Sequence, residues 1–142
     1  MIQRARDVLI LEIDEPTILV IEDDVVLAEM LSILLADDGY RIVTAHTAAD
    51  ALALVRAERP ALITLDLTLP DADGLLLLKA LRADAELHPV PIVIVSGRSY
   101  RPVWGDQVVA VLPKPFDATA LDVVVRRTLG SRVEIGRARQ AV

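Results

Sequence analysis

The amino-acid sequence predicts an α/β protein built on a doubly wound, five-stranded parallel sheet. Three observations predict it. Short β-branched runs alternate along the chain with segments whose apolar residues recur at helical spacing. Several of the runs are apolar without interruption, as in strands covered on both faces. The repeated order of strand, helix, strand requires right-handed crossovers between parallel neighbours.

The first strand is expected over Thr17–Ile21, ended by the acidic triplet Glu22, Asp23 and Asp24. A helix follows over 25–36, with Asp24 as its N-cap and Leu27, Met30, Leu31, Leu34 and Leu35 on one face. Gly39 suits the position just past a helix end. Arg41–Ala45 is the second strand. The second helix, 48–59, has Thr47 as N-cap, Asp50 in its first turn, and Ala51, Leu52 and Val55 on one face; Pro60 stops it. Strands are expected over 61–65, 91–95 and 108–112, and helices over 75–83 and 118–129. The stretch 75–78 is leucine throughout, more than one face needs, which leaves one or two leucines for an interface. Residues 97–107 carry Gly97, Pro102 and Gly105 and little helical period, so the fourth helix is expected to be shortened or irregular, with Tyr100 and Trp104 plugging the core. Residues 1–16 form an N-terminal extension, 17–129 the domain, and 130–142 a frayed C-terminal tail.

Composition excludes several functions. The 142 residues suffice for one core, and 54% hydrophobic against 25% charged residues argues against disorder. Absent cysteine excludes a disulfide scaffold, a thiolate zinc site and a cysteine nucleophile. His46 and His88 are the only histidines, too few for a multi-histidine metal site, and both read as surface or loop residues. A net charge of −6 disfavours direct binding to nucleic acid. No apolar run reaches the ~18 residues of a spanning helix, and Glu12, Asp14 and Glu15 interrupt the N-terminal stretch too early for a signal peptide. A cytoplasmic protein with no membrane contact is expected.

The chemistry gathers at strand ends. Glu22 and Asp23 follow the first strand, Asp66 closes the third, Ser96 the fourth, and Lys114 follows the fifth. In a parallel sheet these positions open onto one carboxyl edge. Clustered carboxylates repel and stay ionised together only around a cation, and Mg²⁺ is the hard ion for such oxygens. Lys114 adds positive charge and Ser96 a hydroxyl donor. The set suits phosphoryl transfer onto Asp66, which needs positioning and charge neutralisation above all. A phosphohydrolase with an aspartate nucleophile needs a second aspartate two residues on, where Thr68 stands. A dinucleotide site needs a glycine-rich turn where residues 22–24 are acidic.

Four segments, 18–24 (ILVIEDD), 62–74 (LITLDLTLPDADG), 91–97 (PIVIVSG) and 112–116 (LPKPF), resemble the response-regulator receiver domains of the CheY-like, flavodoxin-like superfamily. The resemblance covers roughly 17–129. It implies that Asp66 is the phosphoacceptor. It also implies that Asp23 is a direct Mg²⁺ ligand, that Glu22 acts through water, and that the Thr68 backbone carbonyl is the third protein ligand. Ser96 resembles the switch hydroxyl, Lys114 the phosphate-pairing lysine, Lys114–Pro115 the family's cis bond, and Pro70 and Gly74 its acceptor loop.

The same resemblance implies a phosphorelay signalling protein rather than an enzyme, its only chemistry being to accept a phosphoryl group and hydrolyse it. The implied donor is a sensor histidine kinase or phosphotransfer protein. No output domain is seen in the 142 residues, so the listener is expected to be a separate downstream effector protein. Val111 stands where the family often has Tyr or Phe, the stretch from Ser96 to Lys114 is short, and Thr68 and Arg98 occupy positions that tune dephosphorylation. The missing aromatic and the eroded fourth helix motivate a second reading, a receiver-fold interaction or dimerisation module that works without phosphorylation. Monomer and homodimer both stay open.

Overall fold

Uninterrupted apolar strands need cover on both faces, and the fold supplies it. The computed structural model describes residues 15–97 and 107–141, with 131–141 as backbone only. Strands β1 (Thr17–Ile21), β2 (Arg41–Ala45), β3 (Leu62–Leu65), β4 (Ile92–Ser96) and β5 (Val108–Pro113) form one sheet in the order β2-β1-β3-β4-β5. Every pairing is parallel. The helices are α1 (Val25–Asp37), α2 (Ala48–Glu58), α3 (Gly74–Ala83) and α4 (Ala118–Ala141).

Side chains alternate along each strand and divide the core in two. Leu19, Ile21, Ile63, Leu65, Ile92 and Ile94 face Ala51 and Val55 of α2 and Leu77 and Leu81 of α3. Ile18, Val20, Leu62, Val93 and Val95 face Ala28, Leu31 and Leu35 of α1 and Leu121, Val125 and Leu129 of α4. Each fully buried Leu, Ile or Val contributes about 1.5–3 kcal/mol over its exposed state. The inner strands β1, β3 and β4 therefore hold the edge that carries the site.

Helix ends follow the local signals. Asp24 Oδ1 accepts from the amides of Val26 (3.0 Å) and Leu27 (3.2 Å), capping α1. Gly39 leaves the helix at φ 90°, which glycine adopts without a Cβ penalty. Thr47 Oγ1 accepts from the Asp50 amide at 3.1 Å, capping α2. Of the leucines in 75–78, Leu77 and Leu78 are buried and Leu76 is exposed.

Two expectations need correction. Met30 and Leu34, assigned to the inner face of α1, lie 52% and 39% exposed, beside exposed Val26 and Ile33; Ala28, Leu31 and Leu35 are the buried stripe. The helix is apolar nearly all round, so periodicity offers little contrast between its faces. The last helix also runs past Leu129 to Ala141 instead of fraying. Gly130 and Gly136 each cost a helix about 1 kcal/mol relative to alanine, and the arginines and alanines among residues 131–141 favour propagation. The shortened fourth helix, with Arg98, Tyr100 and Trp104, and residues 1–14 of the extension lie outside the described residues. Among the described residues no helix is long and apolar enough to cross a membrane.

Candidate functional site

Strands β1 and β3 are neighbours in register, with Ile21 opposite Leu65, so the next residues, Glu22 and Asp66, emerge side by side. Carboxylate oxygens of Glu22, Asp23 and Asp66 all lie within 4.8 Å of one another. Glu22 and Asp66 are buried and Asp23 is exposed at the mouth. Lys114 enters from the β5–α4 loop. Its Nζ lies 2.5 Å from Glu22 Oε1 and 3.0 Å from Asp66 Oδ2. The other Asp66 oxygen, Oδ1, accepts from the Thr68 amide at 3.0 Å.

The backbone fixes this arrangement. The Lys114 amide donates to the Ser96 carbonyl at 3.0 Å, clasping the end of β4 to the lysine loop, and Lys114–Pro115 is cis. Ser96 itself is buried at the end of β4. The Gly74 amide donates to the Leu67 carbonyl at 2.8 Å. A Cβ on Gly74 would stand 2.5 Å from Leu67 Cα and 2.7 Å from the Asp66 carbonyl oxygen, both backbone atoms that cannot yield. Only glycine lets the start of α3 come this close to Asp66. Asp73 caps α3 through the Leu75 amide at 2.9 Å.

Charge is unbalanced here. Burial pushes the Glu22 carboxyl up to about 7, and its contacts with Asp66 and Asp23 add to this against the pull of Lys114. Asp23 loses some hydration too, yet its hydrogen bonds with Glu22 and Asp66 hold it below the usual carboxylate range. Desolvation works against the Lys114 ammonium, but Glu22 and Asp66 hold its pKa above the ordinary value. Three carboxylates share one ammonium. An all-oxygen donor set with one exposed member fits Mg²⁺, which binds through few carboxylates and keeps several waters.

Of the residues singled out from sequence, Glu22, Asp23, Asp66 and Lys114 converge, and Thr68 joins them through its amide. Ser96 is tied in through its carbonyl. Asp24 is the α1 cap, as expected. Sequence reasoning missed two contributors. His46 Nδ1 lies 2.8 Å from the Glu22 carbonyl oxygen, and Asp71 accepts from the amides of Ala48 (2.8 Å) and Ala49 (3.1 Å). Neither partner is local, so no motif could flag either residue. The one available sign was an extra acid in the loop between β3 and α3.

Comparison with known proteins agrees with this geometry. Residues 18–126 match the family model described as the response regulator receiver domain. The transcriptional regulatory protein PmrA of Pectobacterium parmentieri is 39% identical over 120 residues, covering 80% of this chain and 54% of its own length. The chain spans about half of that relative and about a third of the next curated ones. A sensor protein structure from Polaromonas sp. JS666 aligns at TM-score 0.76 with 33% identity, covering 84% of this chain and 99% of that one. The receiver domain of sensor histidine kinase PA1611 from Pseudomonas aeruginosa PAO1 carries a magnesium ion in its active-site cleft. It aligns at TM-score 0.71 with 25% identity, covering 82% of this chain and 99% of its own. A family match running from β1 past β5, over a strand order and an acidic edge of the same kind, makes this chain a member of the response regulator receiver domain family.

Proposed function

We propose that the chain is a phosphoryl-operated switch in a two-component phosphorelay, with Asp66 as acceptor. One observation carries the reading: a buried aspartate whose two oxygens are held separately, by the Thr68 amide and Lys114 Nζ, beside two further carboxylates. Glu22, Asp23, Asp66 and the Thr68 carbonyl would hold Mg²⁺. When bound, the ion neutralises the carboxylates and the oxygens of the incoming phosphoryl group.

The residues of the chain do the rest. Lys114 draws negative charge toward Asp66 and fixes its orientation. An Asp66 oxygen attacks phosphorus in line, so that a P–O bond forms as the donor's P–N bond breaks. The donor imidazole, protonated on its other nitrogen, leaves neutral. Lys114 and the Ser96 hydroxyl then engage the new phosphoryl oxygens, at roughly 1.5–3 kcal/mol for each charge-assisted hydrogen bond. That suffices to shift a two-state loop equilibrium by a decade or more. Water later hydrolyses the acyl phosphate.

The donor, a sensor histidine kinase or phosphotransfer protein, must bring its histidine over Asp66. Beside Lys114 opens a cavity of about 410 Å³, walled by Val26, Leu27, Met30, Leu34 and Phe116. An apolar rim next to the acceptor suits a protein donor better than a small phosphate. It also gives the exposed Met30 and Leu34 a use. The surface that reads the switch is a protein surface. PmrA is named a transcriptional regulatory protein, and the acidic charge of this chain directs its own contacts to protein rather than to nucleic acid.

The test is phosphoryl uptake from a small phosphodonor with Mg²⁺. Wild type takes up hydroxylamine-labile label and Asp66→Asn loses it by roughly a hundredfold or more; equal labelling sinks the proposal. One observation favours the alternative of a module that acts unphosphorylated: Val109 and Val111 lie exposed on edge strand β5. Light scattering with and without a phosphoryl mimic separates the two, since the alternative predicts the same oligomer in both states.

A further inference from the structure

We infer that Asp71 and His46 are positioning residues for the cation site: through the β2–α2 turn they fasten the loop bearing Glu22 and Asp23 to the loop bearing Asp66 and Thr68. This rests on the phosphoryl-switch reading and deepens it.

Four hydrogen bonds make the strap. On one side the Glu22 amide donates to the Ala45 carbonyl at 2.9 Å, and His46 Nδ1 meets the Glu22 carbonyl at 2.8 Å. A carbonyl oxygen only accepts, so His46 Nδ1 is the donor. On the other side Asp71, in the loop between β3 and α3, uses both carboxylate oxygens on the amides of Ala48 and Ala49. The strap thus runs from the end of β1, through residues 45–49, to the loop that holds Thr68. It uses only protein atoms.

The accounting of amides at α2 shows why Asp71 does more than cap a helix. The first-turn amides of a helix lack intrahelical partners. Thr47, the N-cap, satisfies the Asp50 amide, and the Ala51 amide already reaches the Thr47 carbonyl. The two remaining donors, Ala48 and Ala49, are met from a different segment, by a carboxylate favoured at a helix N-terminus. These two amides hold the Asp71 carboxyl below its usual range. The tie lies three residues beyond Thr68 and five beyond Asp66. The β1–β3 pairing joins the two loops at their bases and Lys114 bridges Glu22 and Asp66 by their side chains; the strap adds a third tie, which fixes the main chain of both loops against the repulsion of their carboxylates.

The experiment is Mg²⁺ titration of the full chain by calorimetry, with thermal unfolding measured in parallel. Asp71→Ala and His46→Ala each weaken Mg²⁺ affinity by roughly fivefold to tenfold. Asp71→Asn, which keeps an oxygen for one amide, loses less than Asp71→Ala. The double variant loses less than the product of the single effects, because both act through one turn. Thr47→Ala is the control: it removes the cap of α2, lowers the unfolding midpoint, and leaves Mg²⁺ affinity within about twofold. Affinity within twofold of wild type in both single variants overturns the inference, as does a Thr47→Ala loss equal to that of Asp71→Ala. A wild type that binds no Mg²⁺ instead overturns the phosphoryl-switch reading, and the strap with it.

Discussion

Among the described residues one cation stands between two carboxylates in two places, and these differ in almost everything else. At the carboxyl edge Lys114 sits between Glu22 and Asp66, with side chains 24%, 2% and 4% exposed. On the surface Arg126 of α4 bridges Asp38 at 2.9 Å and Asp122 at 3.0 Å, with 54%, 19% and 38% exposed. In the first, burial raises Glu22 to about 7. In the second, Asp38 is raised chiefly by its hydrogen bond with Asp122. The first draws its members from the ends of three strands; the second lies across two helices. Water screens the surface set, whereas the buried set depends on every member being present. Counting charges would rank the two alike, and burial separates them.

The two clusters differ most in what their cations hold together. Lys114→Ala leaves two buried carboxylates facing each other and is expected to destabilise the chain by about 1–2 kcal/mol, after allowance for solvent at the lysine. Thermal unfolding without divalent ion reads that loss, and added Mg²⁺ recovers part of it. A midpoint equal to wild type would show that the pocket does not depend on its ammonium.

The next effect is one of pH. Glu22 keeps its proton up to about 7 in the folded chain, against 4.5 as the ordinary value. Its contribution to stability is complete below the ordinary value and is lost as pH rises through about 7. Without divalent ion, the unfolding midpoint is therefore expected to fall between about pH 5 and about pH 8 from this group. Mg²⁺ binds the ionised form, so its stabilising increment grows in the other direction, larger at about pH 8 than at about pH 6. An increment equal at both values would remove Glu22 from the cation site.

The smallest effect sharpens the contrast from the other side. Arg126→Ala is expected to leave the unfolding midpoint within about 2 °C and Mg²⁺ uptake unchanged. A loss as large as that of Lys114→Ala would mean that exposure is not what distinguishes the two clusters.

What the sequence disclosed and what it hid have separate physical causes. The inner strands were legible because a run such as Leu62–Leu65 is apolar on both faces, and only a covered sheet explains that. Glu22, Asp66 and Lys114 were legible because each stands just beyond a strand, where parallel topology makes distant residues neighbours. Met30 and Leu34 were misplaced because α1 has little polar face to contrast with its core face. The continuation of α4 was hidden by Gly130 and Gly136, which lower helix propensity without breaking the helix. His46 and Asp71 were hidden for another reason: their partners are main-chain groups more than twenty residues away, and hydrogen bonds of that kind leave no pattern in side-chain order.

The strand order has a further consequence. Asp66 extends from β3, the middle of five strands, with two strands on either side. Neither outer margin supplies a carboxylate to the acidic cluster. Residues on those margins, Arg41 on one side and Val109 on the other, can therefore diverge while the acidic cluster at the centre stays the same.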